Sequence, residues 1–392
     1  MWALRAARLF DGERLIERPL VMVSGGVITD VRERGAAPEG VPVTDVGHAT
    51  VLPGLVDAHV HLVLPGDPDP VGAAGVSAGE LAANARRSAA ACLDGGITAV
   101  RDLGDRDYAT VGVRAESARD PMAGPHLMVS GPPITTEGGH CWFLGGAVTG
   151  RSDLVEAVRS RAACGVDVIK IMASGGEITP GTRSWQPQYT ADDLRSVVAE
   201  AHRLGLPVAA HAHAVSAIER ALDAGVDTIE HATFRTADGI RPDPRLIDRL
   251  AASGTPVTVT TGFSPEGPPL DEAARTRIAA TLDAADQMRR AGVRIVLASD
   301  AGISDQKPHR LLPFGLIRMV EAGFSPVEAL RAATATAATA CGLPRKGRVV
   351  PGADADLLIV DGDPARDIGA VLAVRSVYRG GLRVRHFGPA AS

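Results

Sequence analysis

The feature that most constrains this chain is an alternation. Eight short apolar, β-branched runs occur at 54–62 (GLVDAHVHL), 97–103, 126–131, 167–173, 207–213, 227–233, 256–261 and 294–300. Ala/Arg/Glu-rich stretches with helical spacing separate them, such as SAGELAANARRSAAACLDGG (77–96) and TADDLRSVVAEAHRLG (190–205). The second opens on Thr190, a favoured N-cap, and closes on Gly205, a favoured helix stop. Eight strand–helix units over about 270 residues is the arithmetic of a (β/α)8 TIM barrel, an α/β fold. A doubly wound sheet would place a GxGxxG turn after its first strand, and none follows residue 62.

The ends read differently. Residues 1–53 and 346–392 carry short alternating strands, with Gly25–Gly26 and Gly380–Gly381 at hairpin positions. These flanks are expected to meet in one small composite β-sandwich, leaving 54–345 as the catalytic barrel. The 392 residues hold 45% hydrophobic and 22% charged side chains, which suits a packed soluble protein rather than a disordered one. A net charge of −5 offers no basic field for phosphates, so nucleic acid is not an expected partner. No apolar run reaches the roughly 18 residues a membrane span requires. Cys92, Cys141, Cys164 and Cys341 show no paired spacing, so neither a disulfide framework nor a thiolate metal site is signalled. The expectation is a cytoplasmic protein acting on a small molecule, with no membrane partner and room for homo-oligomers.

Chemistry gathers at the strand ends. Of eleven histidines, His59, His61, His211, His213 and His231 lie there, and Asp300 ends the last run. Barrel active sites are built at that end. In His59-x-His61 both imidazoles project from one side of a strand and can share a metal. Lys170 is one of three lysines among 41 basic residues and stands within DVIKIMA. Apolar neighbours on both sides leave its amine desolvated, which lowers its pKa and favours a neutral nucleophile. Such an amine can take up CO2, giving an anionic carbamate that bridges two cations. His211 and His231 offer imidazoles from the next two strands, and His213 competes with His211 for the ligand role. Asp300 is a hard oxygen ligand and a candidate general base.

These residues carry a resemblance. PGLVDAHVHL, VIKIMASGG, VAAHAH, TIEHAT, LASDAG and the tail GADADLLIVDGDP resemble the metal-dependent amidohydrolase superfamily across nearly the whole chain. The closest likeness is to its imidazolonepropionase-related and prolidase-like branch, which includes binuclear zinc carboxypeptidases and N-acyl amino acid hydrolases. The resemblance implies two divalent cations, zinc by expectation. His59, His61 and Asp300 would hold one, His211 and His231 the other, with N6-carboxylated Lys170 and a hydroxide bridging them. The hydroxide would attack an amide carbonyl beside a free carboxylate, in an N-acyl amino acid or dipeptide. Asp300 would be the catalytic residue that accepts its proton. Alternatives are hydrolysis of a cyclic amide, as in imidazolonepropionase, a mononuclear heterocycle deaminase, or a non-catalytic protein on this scaffold.

Two loops follow strand ends and are candidates for specificity. PPITTEGGHCWFLGG (132–146) carries His140 and Trp142. The resemblance implies that His140 and His213 hold the substrate carboxylate. EITPGTRSWQPQYT (177–190) offers Arg183, Trp185 and Tyr189 as a lid or side-chain pocket. TTGFSPEGPPLDE (260–272) is short and Pro/Gly-rich where related enzymes carry a longer insertion, which predicts a more open pocket there.

Overall fold

A computed structural model describes residues 1–388. All eight central runs form strands: β1 (Leu55–Val60), β2 (Ile97–Asp102), β3 (His126–Val129), β4 (Ile169–Met172), β5 (Val208–Ala214), β6 (Thr228–Thr236), β7 (Val257–Val259) and β8 (Ile295–Leu297). A helix follows each, from Ala78–Asp94 after β1 to Glu272–Arg290 after β7 and Leu312–Glu321 after β8. The fold is mixed α/β with every β1–β8 pairing parallel. The ladders form two sheets, β3-β2-β1 and β4-β5-β6-β7-β8. Between the two sheets the pairing is limited to isolated bridges, Val60 with Ala301 and Ile134 with Ile171. β3 and β8 are only four and three residues long, so these contacts fall just beyond their ends. There His61 N donates to Ala301 O at 2.9 Å and Ile134 N to Lys170 O at 2.8 Å.

Helix ends follow local chemistry. Ser77 and Thr190 each form a reciprocal capping box, with Glu80 and Asp193 respectively. The apolar helix faces pack against the strands in one large core, including Leu81, Ala85, Val197, Ile218, Leu250 and Leu316, while Val56, Ala58, Ala99, Val296 and Ala298 of the strands belong to a separate cluster.

The chain ends pair with each other. Thr50–Pro53 runs antiparallel to Leu357–Val360 in a six-stranded sheet, beside a four-stranded sheet of N-terminal strands. Leu4, Val23 and Ile28 of the smaller sheet share an apolar cluster with Val51, Leu357 and Tyr378 of the larger. Both expected hairpins are present: Gly25 and Gly26 turn with φ of 57° and 80°, Gly380 and Gly381 with 55° and 77°. Two successive positive φ values are what a two-residue turn between twisted strands requires, and glycine adopts them without a Cβ clash. Among the described residues, no helix is long and apolar enough to cross a membrane.

Candidate active site

The carboxyl ends of the strands surround a cavity of about 370 Å³ lined by His59, His61, His140, Lys170, His211, His213, His231 and Asp300. Two clusters have ligand atoms within 4.8 Å of one another: His59 with His61 and Asp300, and His211 with His213 and His231. His59 and His231 join the clusters, their ring centroids 5.0 Å apart. Asp300 and His231 adopt φ of +56° and +73°. For residues with a Cβ this costs about 1–3 kcal/mol each, a strain that surrounding structure must hold.

The histidine tautomers decide what the first cluster can bind. His59 Nδ1 lies 3.0 Å from the Glu230 carboxylate, and His61 Nδ1 lies 3.1 Å from the Gly104 carbonyl. Both partners only accept hydrogen bonds, so both Nδ1 atoms carry the hydrogen and both Nε2 atoms present lone pairs. These lone pairs point at Asp300 Oδ1, 3.5 Å and 3.4 Å away. Three buried acceptors converge with no hydrogen between them, an arrangement a cation satisfies. In the second cluster His211 Nε2 donates to the Gly175 carbonyl at 3.1 Å, which leaves Nδ1 as its lone pair. His213 Nδ1 and His231 Nδ1 meet the hydroxyls of Thr233 and Thr260 at 2.8 and 3.0 Å. His213 lies within the same cluster as His211 and His231.

Burial keeps these imidazoles neutral. It lowers His59 to about 4, with the nearby Lys170 charge adding to the effect, and carries His211 and His231 well below the ordinary value. Lys170 Nζ lies 3.5 Å from His59 Nε2, and burial brings its pKa down to about 8. Neutral imidazoles and a readily deprotonated amine are the protonation states that metal binding needs.

Not every candidate reaches the cavity. His140 does, with its ring 4.6 Å from that of His211 and its Nδ1 on the Thr179 hydroxyl at 3.0 Å. Trp142 is exposed on a short 3-10 turn and contributes nothing to the wall. Arg183 stacks over Trp185 outside the cavity, its guanidinium 5.3 Å from the ring. Tyr189 is buried in packing, its hydroxyl donating to Val148 O at 3.0 Å. The cause is a chain reversal. Gly175 N bonds to Gln186 O, and Gln188 N to Ala173 O, so Glu177 and Ile178 dip inward while 183–185 stay outside. On the far side, Phe263, Leu270, Ala274, Ile278 and Thr281 line the cavity, so the Pro/Gly-rich segment and the following helix form a wall where an open pocket was expected. Residues that sequence reasoning missed include Glu230, Arg101, Lys307, Arg235 and Arg277. The apolar setting of Glu230 in TIEHAT is the signal that could have singled it out.

Residues 50–384 match the amidohydrolase family. The chain belongs to the amidohydrolase family. It is thus a hydrolase of amide C–N bonds in a metal-dependent family. The ochratoxinase of Aspergillus niger is 27% identical over 415 residues, spanning 95% of this chain and 83% of that protein. The imidazolonepropionase of Deinococcus deserti is 26% identical over 422 residues, spanning 97% and 95%. A crystal structure of a prolidase complexed with N-methylphosphonate-L-proline superposes with a TM-score of 0.86 at 28% identity, covering 98% of this amidohydrolase and 99% of that chain.

Proposed function

We propose that the protein is a binuclear amidohydrolase that cleaves an amide beside a free carboxylate, in an N-acyl amino acid or a dipeptide. The observation that carries this reading is the convergence of His59 Nε2, His61 Nε2 and Asp300 Oδ1, with Lys170 Nζ beside it and the His211–His231 cluster opposite. In this reading His59, His61 and Asp300 would hold one cation and His211 and His231 the other, and Lys170, as a carbamate, would supply a further anionic ligand. Two zinc ions bound there would activate water and polarise a carbonyl oxygen.

The chain's own groups do the rest. The neutral Lys170 amine adds to CO2, forming an N–C bond and releasing one proton, and burial favours this by lowering the amine's pKa. The Asp300 carboxylate takes the proton of the attacking water and returns it to the departing nitrogen. Glu230 and Gly104 fix the rings of His59 and His61, so Asp300 works in a preorganised frame. His140 and His213 line the cavity beside these groups and hydrogen-bond the substrate. The same reading takes residues 54–345 as a closed (β/α)8 barrel whose seams are the two isolated bridges. Residues 1–53 and 346–392 are then a composite β-sandwich.

A turnover screen tests the function: N-acyl amino acids and dipeptides with zinc supplied, each beside its C-terminal carboxamide. Cleavage of the acids in preference to the carboxamides is expected. Metal-loaded protein that cleaves neither series overturns the reading and turns attention to cyclic amides.

A further inference from the structure

Apart from the liganding residues, four charged side chains line the cavity: Lys307, Glu177, Arg235 and Arg277. One is already engaged: Lys307 Nζ donates to Ser299 O and Thr260 O at 2.8 and 3.2 Å. The remaining three do not balance. Arg235, last of the alternating His231–Thr233–Arg235 series on β6, reaches Glu177 Oε1 at 3.2 Å through Nη2. That oxygen also accepts from the Ser184 hydroxyl at 2.9 Å, which fixes Glu177 and through it the guanidinium. Arg235 Nε is nonetheless buried with no hydrogen-bond partner. Arg277 lies on the helix Glu272–Arg290, and no carboxylate among the described residues stands within ion-pair distance of it. Burial lowers the Arg235 pKa, Glu177 offsets part of this, and the like charge of Arg277 adds to the lowering.

Two guanidiniums from different elements thus line one cavity in which Glu177 is the one carboxylate outside the liganding set. The unsatisfied buried Nε of Arg235 calls for an anion, and Arg277 adds a second positive charge to the same cavity. We infer that Arg235 and Arg277 form the receptor for the substrate's free carboxylate, with Glu177 orienting Arg235. This rests on the reading of the site as a hydrolase of carboxylate-bearing amides. It adds two positive charges to a cavity that His140 and His213 also line. A guanidinium is always charged, and its fork of donors matches the two oxygens of a carboxylate. Phe263, Leu270, Ile278 and Ile303 line the same cavity, so the group carried next to the carboxylate is apolar.

Calorimetric titration of the metal-loaded protein with 3-phenylpropanoate and with 3-phenylpropanamide reads the receptor directly, since neither ligand depends on turnover. The wild-type protein is expected to prefer the acid. Arg277→Met, on an exposed helix face, and Arg235→Met are each expected to cut that preference about ten- to a hundredfold, with partial recovery in Arg277→Lys. An unchanged preference in both methionine variants, or none in the wild type, overturns the receptor. If both variants still select acids in the turnover screen, the receptor falls while the proposed function stands. If the arginines govern binding yet no carboxylate-bearing amide is cleaved, the proposed function falls and the receptor stands.

Discussion

The Nδ1 hydrogen of His59 is given to Oε2 of Glu230 across 3.0 Å, in a place where neither residue touches solvent. The other Glu230 oxygen accepts from Arg101 Nη2 at 2.9 Å, and Arg101 Nε in turn holds the Ala58 carbonyl beside His59. The carboxylate thus fixes the orientation and tautomer of His59 and keeps Nε2 free for the cavity.

Replacing Glu230 with Gln is expected to weaken metal binding by about 10- to 100-fold, because His59 loses an anionic partner for its Nδ1 hydrogen. It also leaves the Arg101 guanidinium without its counter-charge, at a cost of about 3–5 kcal/mol in stability. Competition with a chelator measures the affinity of the folded fraction, and chemical denaturation measures the stability. Wild-type metal affinity in a folded Glu230→Gln protein would show that Glu230 serves only to bury Arg101.

Lys170→Ala removes the amine 3.5 Å from His59 Nε2. Bound metal and activity are both expected to fall to a few per cent, and short carboxylic acids are expected to restore part of each by occupying the space of the carbamate. Elemental analysis with and without added propionate checks this. Near-wild-type metal content in the untreated variant would end the bridging role.

The strands that carry the cavity's His, Lys and Asp were legible because their chemistry obeys simple spacing. His59-x-His61 alternates correctly, Lys170 stands out within apolar neighbours, and Asp300 closes a β-branched run. The hairpins were legible for a similar reason, since paired glycines mark positions that other residues avoid. Glu230 was not. Strict alternation turns it away from the side of His231, yet the chain enters the left-handed region at His231 and Ala232, so neighbours along the strand do not keep ideal alternation. The loop candidates failed for a different reason. Arg183, Trp185 and Tyr189 have the composition of a lid, but the bonds from Gly175 to Gln186 and from Gln188 to Ala173 set which part of the loop turns inward. Those are backbone contacts that composition does not encode. Arg235 and Arg277 are far apart in sequence and come to line one cavity only through the fold.

Asp105 gives a pH signature outside the ligand set. One of its oxygens accepts from the Thr110 amide at 2.8 Å, while the other is buried without a partner. Burial, aided by the charge of Asp102, raises its pKa to about 7 from 3.8. The folded state therefore holds a proton that the unfolded chain has released, and this group's contribution to stability falls as pH rises from about 4 to about 7. Asp105→Asn removes that slope. Melting temperatures of the two proteins at pH 5 and pH 8 should diverge in favour of the variant at the higher pH, by at least ~2 °C. Parallel behaviour at both values would mean that Asp105 is not protonated in the fold.

Lys307 offers a test of how Asp300 is held in place. Its amine ties Thr260 O, just beyond β7, to Ser299 O, just beyond β8, and lies 5.0 Å from the Phe263 ring centre. Asp300 follows Ser299 directly and sits at φ +56°, so the clamp acts on the residue before the strained one. Methionine has similar length and no donor. Lys307→Met is therefore expected to free the Ser299 carbonyl, let Asp300 relax, and lower kcat by about ten- to a hundredfold, the range for a misplacement near 1 Å. KM should change less, because Arg235 and Arg277 remain. Metal content must be measured alongside, since His59 and His61 keep their own partners and should retain most of the bound ion. A variant that loses metal and activity in equal proportion would show that Lys307 maintains the ligand cluster, and would remove it as a positioning residue for proton transfer.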